Sequence, residues 1–286
     1  MKKLLAGTVA AMLIAVAVPA ARAGLIYEEN FGGLATAALN GKQPDTDNTV
    51  GGADTWLAYP NYKQDGTTPS DNVSQGAWLP FQPDPYNLYT LSASFRGVGQ
   101  TGTGTSVSWF ALGFVKGLPT AANAASSSAQ ERMNEGVTLG RAWELFRPNN
   151  PTTPTDSPNK VQLGNATSGT TAITWTDNTL ARAGGGDIDM QIVLDTGPPI
   201  WTATFYAKRP TDSSYTMVSN GALNLNAQDI LGIGIARTTN SPSSALLTGK
   251  VTHFSLSVGP SSVPEPATSG LLVLGAITFG LVRRKW

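Results

Sequence analysis

Apolar and polar residues alternate at a period of two through most of the chain between Gly24 and about Gly259, in short runs broken by Gly, Pro, Asn, Asp and Ser. That period places successive side chains on opposite faces of an extended strand, so each run is expected to bury one face and wet the other. In "NLYTLSASF" the residues Tyr89, Leu91, Ala93 and Phe95 share one face, and Thr90, Ser92 and Ser94 the other. "DIDMQIVLD" sets Ile188, Met190, Ile192 and Leu194 against Asp187, Asp189, Gln191 and Asp195. "IWTATFYAK" sets Trp201, Ala203, Phe205 and Ala207 against Thr202, Thr204, Tyr206 and Lys208, and "VTHFSLSVG" turns Phe254, Leu256 and Val258 inward. "SVSWFALGFV" is more uniformly apolar and reads as a central strand, with Trp109 and Phe110 on opposite faces. Half-buried strands need a second sheet to cover them, so the expected fold class is all-β, an antiparallel β-sandwich. "GLPTAANAASSSAQ" and "PNNPTTPTDSPN" are loops by composition, and no internal repeat is evident.

The two ends depart from this pattern. Residues 1–23 carry Lys2 and Lys3, an apolar run from Leu4 to Val18, and small residues at Ala21 and Ala23. This is the layout of a secretory signal peptide, cut by signal peptidase so that the mature chain begins at Gly24. At the other end, the uncharged run Ala267 to Val282 holds 16 residues, about 24 Å as a helix, against a hydrocarbon core of roughly 30 Å. A short transmembrane helix is expected there, its deficit met by local thinning and by snorkelling of Arg283, Arg284 and Lys285. Basic residues stay cytoplasmic, which leaves the preceding domain outside. Pro264 and Pro266 keep the approach to this helix extended and unable to join a sheet, with Glu265 a lone carboxylate between them.

Charge and cysteine usage narrow the function classes. Residues 24–262 hold 13 Lys and Arg against 18 Asp and Glu, a net charge of −5, which favours solubility and argues against nucleic acid as a partner. No cysteine is present, so disulfides, thiolate zinc sites and a cysteine nucleophile are excluded.

Val263-Pro264-Glu265-Pro266, then an apolar run, then Arg283-Arg284-Lys285, resembles the PEP-CTERM protein-sorting signal. The resemblance implies that an exosortase, an integral-membrane transpeptidase, recognises the tripeptide and cleaves the tail, and that the protein passes from the inner membrane of a Gram-negative bacterium to the cell surface or extracellular matrix. It divides the chain into a signal peptide, 1–23, a domain, 24–259, and a sorting signal, 260–286. Within the domain, the order of "YTLSASF", "SWFALGF", "IDMQIVLDT…WTATFYA" and "VTHFSLSV" is similar to laminin-G-like, concanavalin A-like jelly rolls. Many relatives of that kind end in a phrase like Asp-Asn-Phe-Ser, where this chain has Thr252 and His253 in the first two places.

Candidate chemistry is sparse. His253 is the only histidine, which rules out a multi-histidine metal site, and no Gly-x-Ser-x-Gly elbow accompanies it. The Glu-x-Asp-x-x-Glu arrangement of laminarinase-like jelly rolls is missing, so no catalytic residue is assigned. Asp187 and Asp189 share a strand face, and Glu131 and Glu135 one helical face, without an evident partner. "DTDNTVGGAD" reads first as a turn, with Asp45 and Asp47 weak calcium candidates lacking EF-hand spacing. The aromatic-rich segment from Trp56 to Tyr89 offers Trp56, Tyr59, Tyr62 and Trp78 as a glycan-stacking platform, against the plainer reading that these rings cap the sandwich. The expectation is therefore a non-enzymatic exported protein of adhesion or exopolysaccharide association, with a glycan-active hydrolase or lyase and a purely structural envelope protein as the alternatives.

Overall fold

Among the described residues thirteen strands and no helix form. In chain order they are β1 (Gly24–Glu29), β2 (Thr46–Asp47), β3 (Leu57–Ala58), β4 (Gln75–Pro80), β5 (Asn87–Thr101), β6 (Ser108–Val115), β7 (Gly140–Arg147), β8 (Lys160–Asn165), β9 (Gly186–Asp195), β10 (Thr202–Lys208), β11 (Thr216–Ala222), β12 (Gly232–Thr239) and β13 (Leu246–Pro260). The computed structural model describes residues 24–59, 62–67, 75–101, 108–116, 140–147, 160–165, 186–222, 229–239 and 246–261, all within one compact unit, Arg22–Glu265. The signal peptide, the sorting signal beyond Ser261, both composition-defined loops, Glu131, Glu135 and the Trp109 side chain lie outside the described residues, and Pro260 is the last residue of β13. No described helix is long and apolar enough to cross a membrane.

The strands form two antiparallel sheets. One has seven strands in the order β11-β10-β9-β5-β13-β1-β2, the other six in the order β3-β4-β12-β6-β7-β8. Their inner faces share one core. Tyr89, Leu91, Ala93, Phe95, Ile188, Met190, Ile192, Leu194, Ala203, Phe205, Ala207, Phe254 and Leu256 come from the seven-stranded sheet. They meet Ala77, Leu79, Phe110, Leu112, Phe114, Ala142, Phe146, Ile233 and Ile235 of the six-stranded sheet. The alternation read from β5, β9, β10 and β13 thus corresponds to burial on one side, and the expected all-β sandwich is what forms.

The six-stranded sheet behaves differently, because its central strands are buried on both faces. Residues 76–79, 111–115, 141–146 and 232–237 are buried at every position. Trp78, Ala111, Val115, Trp143, Leu145 and Ala236 form a second apolar cluster on its outer side. Gly234 is what lets Trp78 lie against β12: a Cβ there would stand 2.3 Å from the Ala77 carbonyl and 2.3 Å from the indole. Continuous apolar runs are the sequence sign of two-sided burial, as "SWFALGFV" shows.

One end of the sandwich is latched. The Ser261 hydroxyl donates to Asp195 Oδ1 at 2.7 Å. The Thr196 hydroxyl, buried, donates to Asp84 O at 2.8 Å and accepts from the Asn87 amide at 2.9 Å. These bonds tie the end of β13 and the end of β9 to the β4–β5 connection.

Two fully buried acids mark opposite solutions to one problem. Glu29 accepts from Lys42 Nζ, from the Phe31 amide at 3.0 Å and from Trp56 Nε1 at 3.3 Å. Burial raises its pKa, and the Lys42 ammonium pulls it back part of the way. Glu144, on the inner face of β7 beside Leu112, has no hydrogen bond of ordinary geometry at either oxygen. Burial pushes its pKa well above the usual carboxylate range, the Gln191 backbone opposing this to a smaller extent. Such a group stays protonated at neutral pH, since an unpaired buried charge costs far more than a neutral acid.

Two outcomes follow. Gly234→Ala should lower stability by about 2–3 kcal/mol through overpacking against Trp78, read as a shifted urea midpoint at constant m. The folded protein holds the Glu144 proton while the unfolded chain releases it above the ordinary carboxylate pKa, so stability falls as pH rises through neutrality, by up to about 1.4 kcal/mol per pH unit. Glu144→Gln should make that fall less steep in matched urea titrations at rising pH; an unchanged slope would refute the neutral acid.

Candidate functional site

The outer face of the seven-stranded sheet is built by the other half of the same alternation, and it is polar. Register fixes which side chains stand in line. One row crosses six strands: Glu28 on β1, Ser255 on β13, Ser92 on β5, Gln191 on β9, Tyr206 on β10 and Met217 on β11. With strands about 4.8 Å apart it is about 24 Å long. A parallel row holds Ser257, Thr90, Val193, Thr204 and Asn220, and another holds His253, Ser94, Asp189 and Lys208. Within the first row Gln191 Nε2 donates to Ser92 Oγ at 3.2 Å, and Met217 at the free end is 56% exposed. The face therefore offers hydroxyls, an amide and a phenol, with little apolar area and few charges.

Its one charged corner is internally compensated. Asp189 is buried and pairs with Arg96 Nη2 at 2.7 Å, with Lys208 Nζ 4.0 Å from its other oxygen. Arg96 also donates to the carbonyls of Phe95 and Ile188, at 3.0 and 3.2 Å. Lys208 stands 5.0 Å over the Tyr215 ring. Burial pushes the Tyr215 phenol up to about 12, assisted by the carboxyls of Asp189 and Glu144, with Arg96 opposing. Asp187, two residues before Asp189 and exposed, accepts the Gly97 amide at 2.8 Å. Glu28 is three strand spacings from β9, or about 14 Å, beyond the roughly 5–9.5 Å that paired-carboxylate glycoside chemistry uses.

The residues singled out from the sequence fall in other places. Trp56, Tyr62 and Trp78 are 1%, 0% and 1% exposed, which corrects the stacking platform: their rings are core. Trp56 packs edge-on to Phe254 at 5.1 Å and gives its Nε1 to Glu29, while Trp78 belongs to the outer layer of the six-stranded sheet. Tyr59 is half-buried against the main core. The plainer reading of these rings is the one the geometry bears out, and the tyrosine on the outer polar face is instead Tyr206, half-buried, which the strand alternation had already turned outward.

Asp45 and Asp47 are engaged by protein donors. Asp45 accepts from Lys42 Nζ and the Asn30 amide, both at 2.9 Å. Asp47 accepts from the amides of Thr49 and Asp54, at 3.0 and 2.8 Å. These bonds outweigh a burial effect in the other direction and hold both acids below the usual carboxylate range. Asp54 accepts from the Tyr27 phenol, whose pKa is raised by burial and by that carboxylate. The segment is a hydrogen-bonded turn, and among the described residues no three His, Asp or Glu side chains are grouped to hold a metal ion. His253 is half-buried, its Nδ1 3.2 Å from Asn30 Oδ1.

Fold and face together define a two-sheet antiparallel sandwich presenting one broad polar sheet surface. Lectin II from Ulex europaeus is similar at 14% identity and a TM-score of 0.41, over 72% of this chain and 92% of that one. The endo-1,3-beta-glucanase from Streptomyces sioyaensis is similar at 13% identity and a TM-score of 0.42, over 84% and 98%. The CBM2 module of the evolved Dit of Lactobacillus casei BL23 phage J-1 reaches 8% identity and a TM-score of 0.46, over 83% and 96%. No family profile and no curated protein sequence matches the chain.

Arg96→Ala should leave the Asp189 carboxylate without its closest partner. With Arg96 partly solvated, the expected loss is about 1–3 kcal/mol, below the cost of breaking a fully buried pair. A change under about 0.5 kcal/mol in chemical denaturation would show that Lys208 alone compensates Asp189.

Proposed function

We propose that this chain is an exported, non-enzymatic surface or extracellular-matrix protein that holds a glycan on the outer face of its seven-stranded sheet. The observation that carries the reading is the register row from Glu28 to Met217, a line of hydroxyl, amide and phenol groups crossing six strands with little apolar cover. Sugars present hydroxyls and weakly apolar ring faces. A rigid sheet matches them without an ordering cost, Tyr206 supplying the ring and Gln191 with the serines the polar contacts.

The absence of chemistry in the reading rests on the same face. Asp187 and Asp189, the carboxylates closest along β9, are each held by a protein donor, and Glu28 is too distant to pair with either. For the route outward the support comes from the chain ends. Ala21 and Ala23 give signal peptidase its site, and Pro264-Glu265-Pro266 with the basic tail gives an exosortase its substrate, after a transient stay in the inner membrane.

The unit spanning residues 24–261 contains both sheets and their shared core, and is the form to test. Titrated against the extracellular polysaccharide of the producing cell while reducing ends are assayed, it should bind without generating new ends. Release of ends would make it a hydrolase, and absence of binding would leave only a structural role. Tyr206→Ala and Gln191→Ala should each weaken binding about tenfold with unchanged unfolding midpoints. For the sorting reading, the intact mass of the surface-exposed form should lack the residues after Pro266; a mass that includes Trp286 would overturn processing.

A further inference from the structure

Strand pairing brings one end of both sheets together. In the seven-stranded sheet Gly24 of β1, Pro260 of β13, Asn87 of β5, Asp195 of β9 and Thr202 of β10 come to that end. In the six-stranded sheet it is formed by Pro80 of β4, Gly232 of β12 and Val115 of β6. Phe81, in the β4–β5 connection, stacks on Tyr89 of one sheet and Phe114 of the other, so the two ends coincide. The chain leaves the domain here: Ser261 follows β13 and its hydroxyl is held by Asp195.

Exposed apolar side chains gather at the same end. Of the six large ones among the described residues, four belong to it: Leu25 near the start of β1, Val50 in the β2–β3 connection, Ile200 in the β9–β10 connection and Leu231 just before β12. Single exposed hydrophobes are ordinary on a protein surface; their collection around a chain exit is the informative feature. Tyr86 belongs to this end too, half-buried and held at φ 64°. That backbone suits Gly or Asn and strains a bulky side chain. Its amide donates to Thr196 O at 3.1 Å, and its carbonyl accepts the Ser261 amide at 3.4 Å.

We propose that this end of the sandwich rests on a zwitterionic phospholipid surface, with Val50, Ile200 and Leu231 entering the headgroup layer and Tyr86 at the interface. The proposal rests on the reading above that the tail stays for a time in the inner membrane. Six backbone steps separate Ser261 from Ala267, where the uncharged run begins, a reach of at most about 21 Å. The Asp195 bond and the β13 ladder fix Ser261 to the domain, so the tether does not lengthen while they hold. So short a tether keeps the loop tips beside lipid at high effective concentration, where shallow apolar insertion is enough. Tyrosine is at home at headgroup level. The polar face of the seven-stranded sheet stays in water, and Pro264-Glu265-Pro266 is kept at the membrane face.

Charge selects the kind of lipid. Asp47, Asp54, Asp84, Asp195 and Asp229 belong to this end, against Arg141 and Lys116. All but Asp84 have carboxylates held by protein donors, yet their sum stays negative, and an anionic surface repels it.

The chain has no cysteine, so one introduced cysteine carries a fluorophore to one chosen place. The test uses the chain from Gly24 to Trp286 in phosphatidylcholine–phosphatidylethanolamine vesicles whose acyl chains bear a spin-label quencher. Labels at Val50→Cys and Ile200→Cys should be quenched about threefold more than one at Leu34→Cys, which is exposed at the opposite end of β1. All three side chains are exposed, so unfolding midpoints should match the parent. Exchanging half of the lipid for phosphatidylglycerol should weaken the quenching. A label at Leu274→Cys reports the tail separately. Quenching at Leu274 with Val50 and Ile200 no more quenched than Leu34 would overturn this proposal alone. No quenching at Leu274 would overturn both it and the membrane stay of the tail, and stronger quenching on phosphatidylglycerol would overturn the zwitterionic surface.

Discussion

Of the four faces that two stacked sheets present, three are buried, and that constraint organises the molecule. The two inner faces bury one another, and the outer face of the six-stranded sheet carries its own apolar layer around Trp78 and Trp143. Among the described residues, the outer face of the seven-stranded sheet is the one left polar. The polar half of each alternating strand is therefore concentrated on one surface and aligned by register into rows, which is how a sequence without a recognisable catalytic motif still arrives at an organised polar surface.

The same burial sets the terms for the charged groups it encloses. Glu29 lies in the core where the chain leaves β1, and it recruits Lys42, the Phe31 amide and the Trp56 indole. In doing so it anchors the segment that carries Asp45 and Asp47, whose carboxylates face protein donors. Asp189 is handled by Arg96 and Lys208 at a more solvated corner. Glu144 has no such partner and is accommodated by keeping its proton. Three acids under one constraint thus find three different surroundings, each decided by which donors the fold brings within reach.

Much of this was legible in the sequence where period and composition agree. The faces of β5, β9, β10 and β13 follow from strict alternation, and with them the outward positions of Ser92, Gln191 and Tyr206 that line the candidate site. The strands "GLIYEE", "QGAWLP", "GRAWELFR" and "GIGIARTT" are harder to see, because glycine and charge interrupt the apolar runs. Gly234 is present for the Trp78 ring and not for a turn, and Arg141 is buried against Asp229, with bonds of 2.5 and 2.7 Å. Aromatic density between Trp56 and Tyr89 fitted both a stacking surface and a cap on the sandwich, because ring exposure is decided by tertiary cover. Local pattern does not record that cover, and Trp56 and Tyr62 lie inside. Register is likewise a property of strand pairs, so the alignment of Glu28 with Met217 exists only in the folded sheet.

The placement of β13 has a mechanical consequence. This strand lies between β5 and β1, antiparallel to both, and is paired with β5 from Leu246 to Pro260. A pull on the chain beyond Ser261, resisted by anything held on the strands of the polar face, runs along β13 and loads its hydrogen bonds on both flanks together in shear. Unzipping them one at a time would require a force across the strand. The Ser261 bond to Asp195 lies first in the path of that force and engages before the ladder. A domain wired in this way resists traction at the end of the chain far better than its modest single hydrogen bonds would indicate.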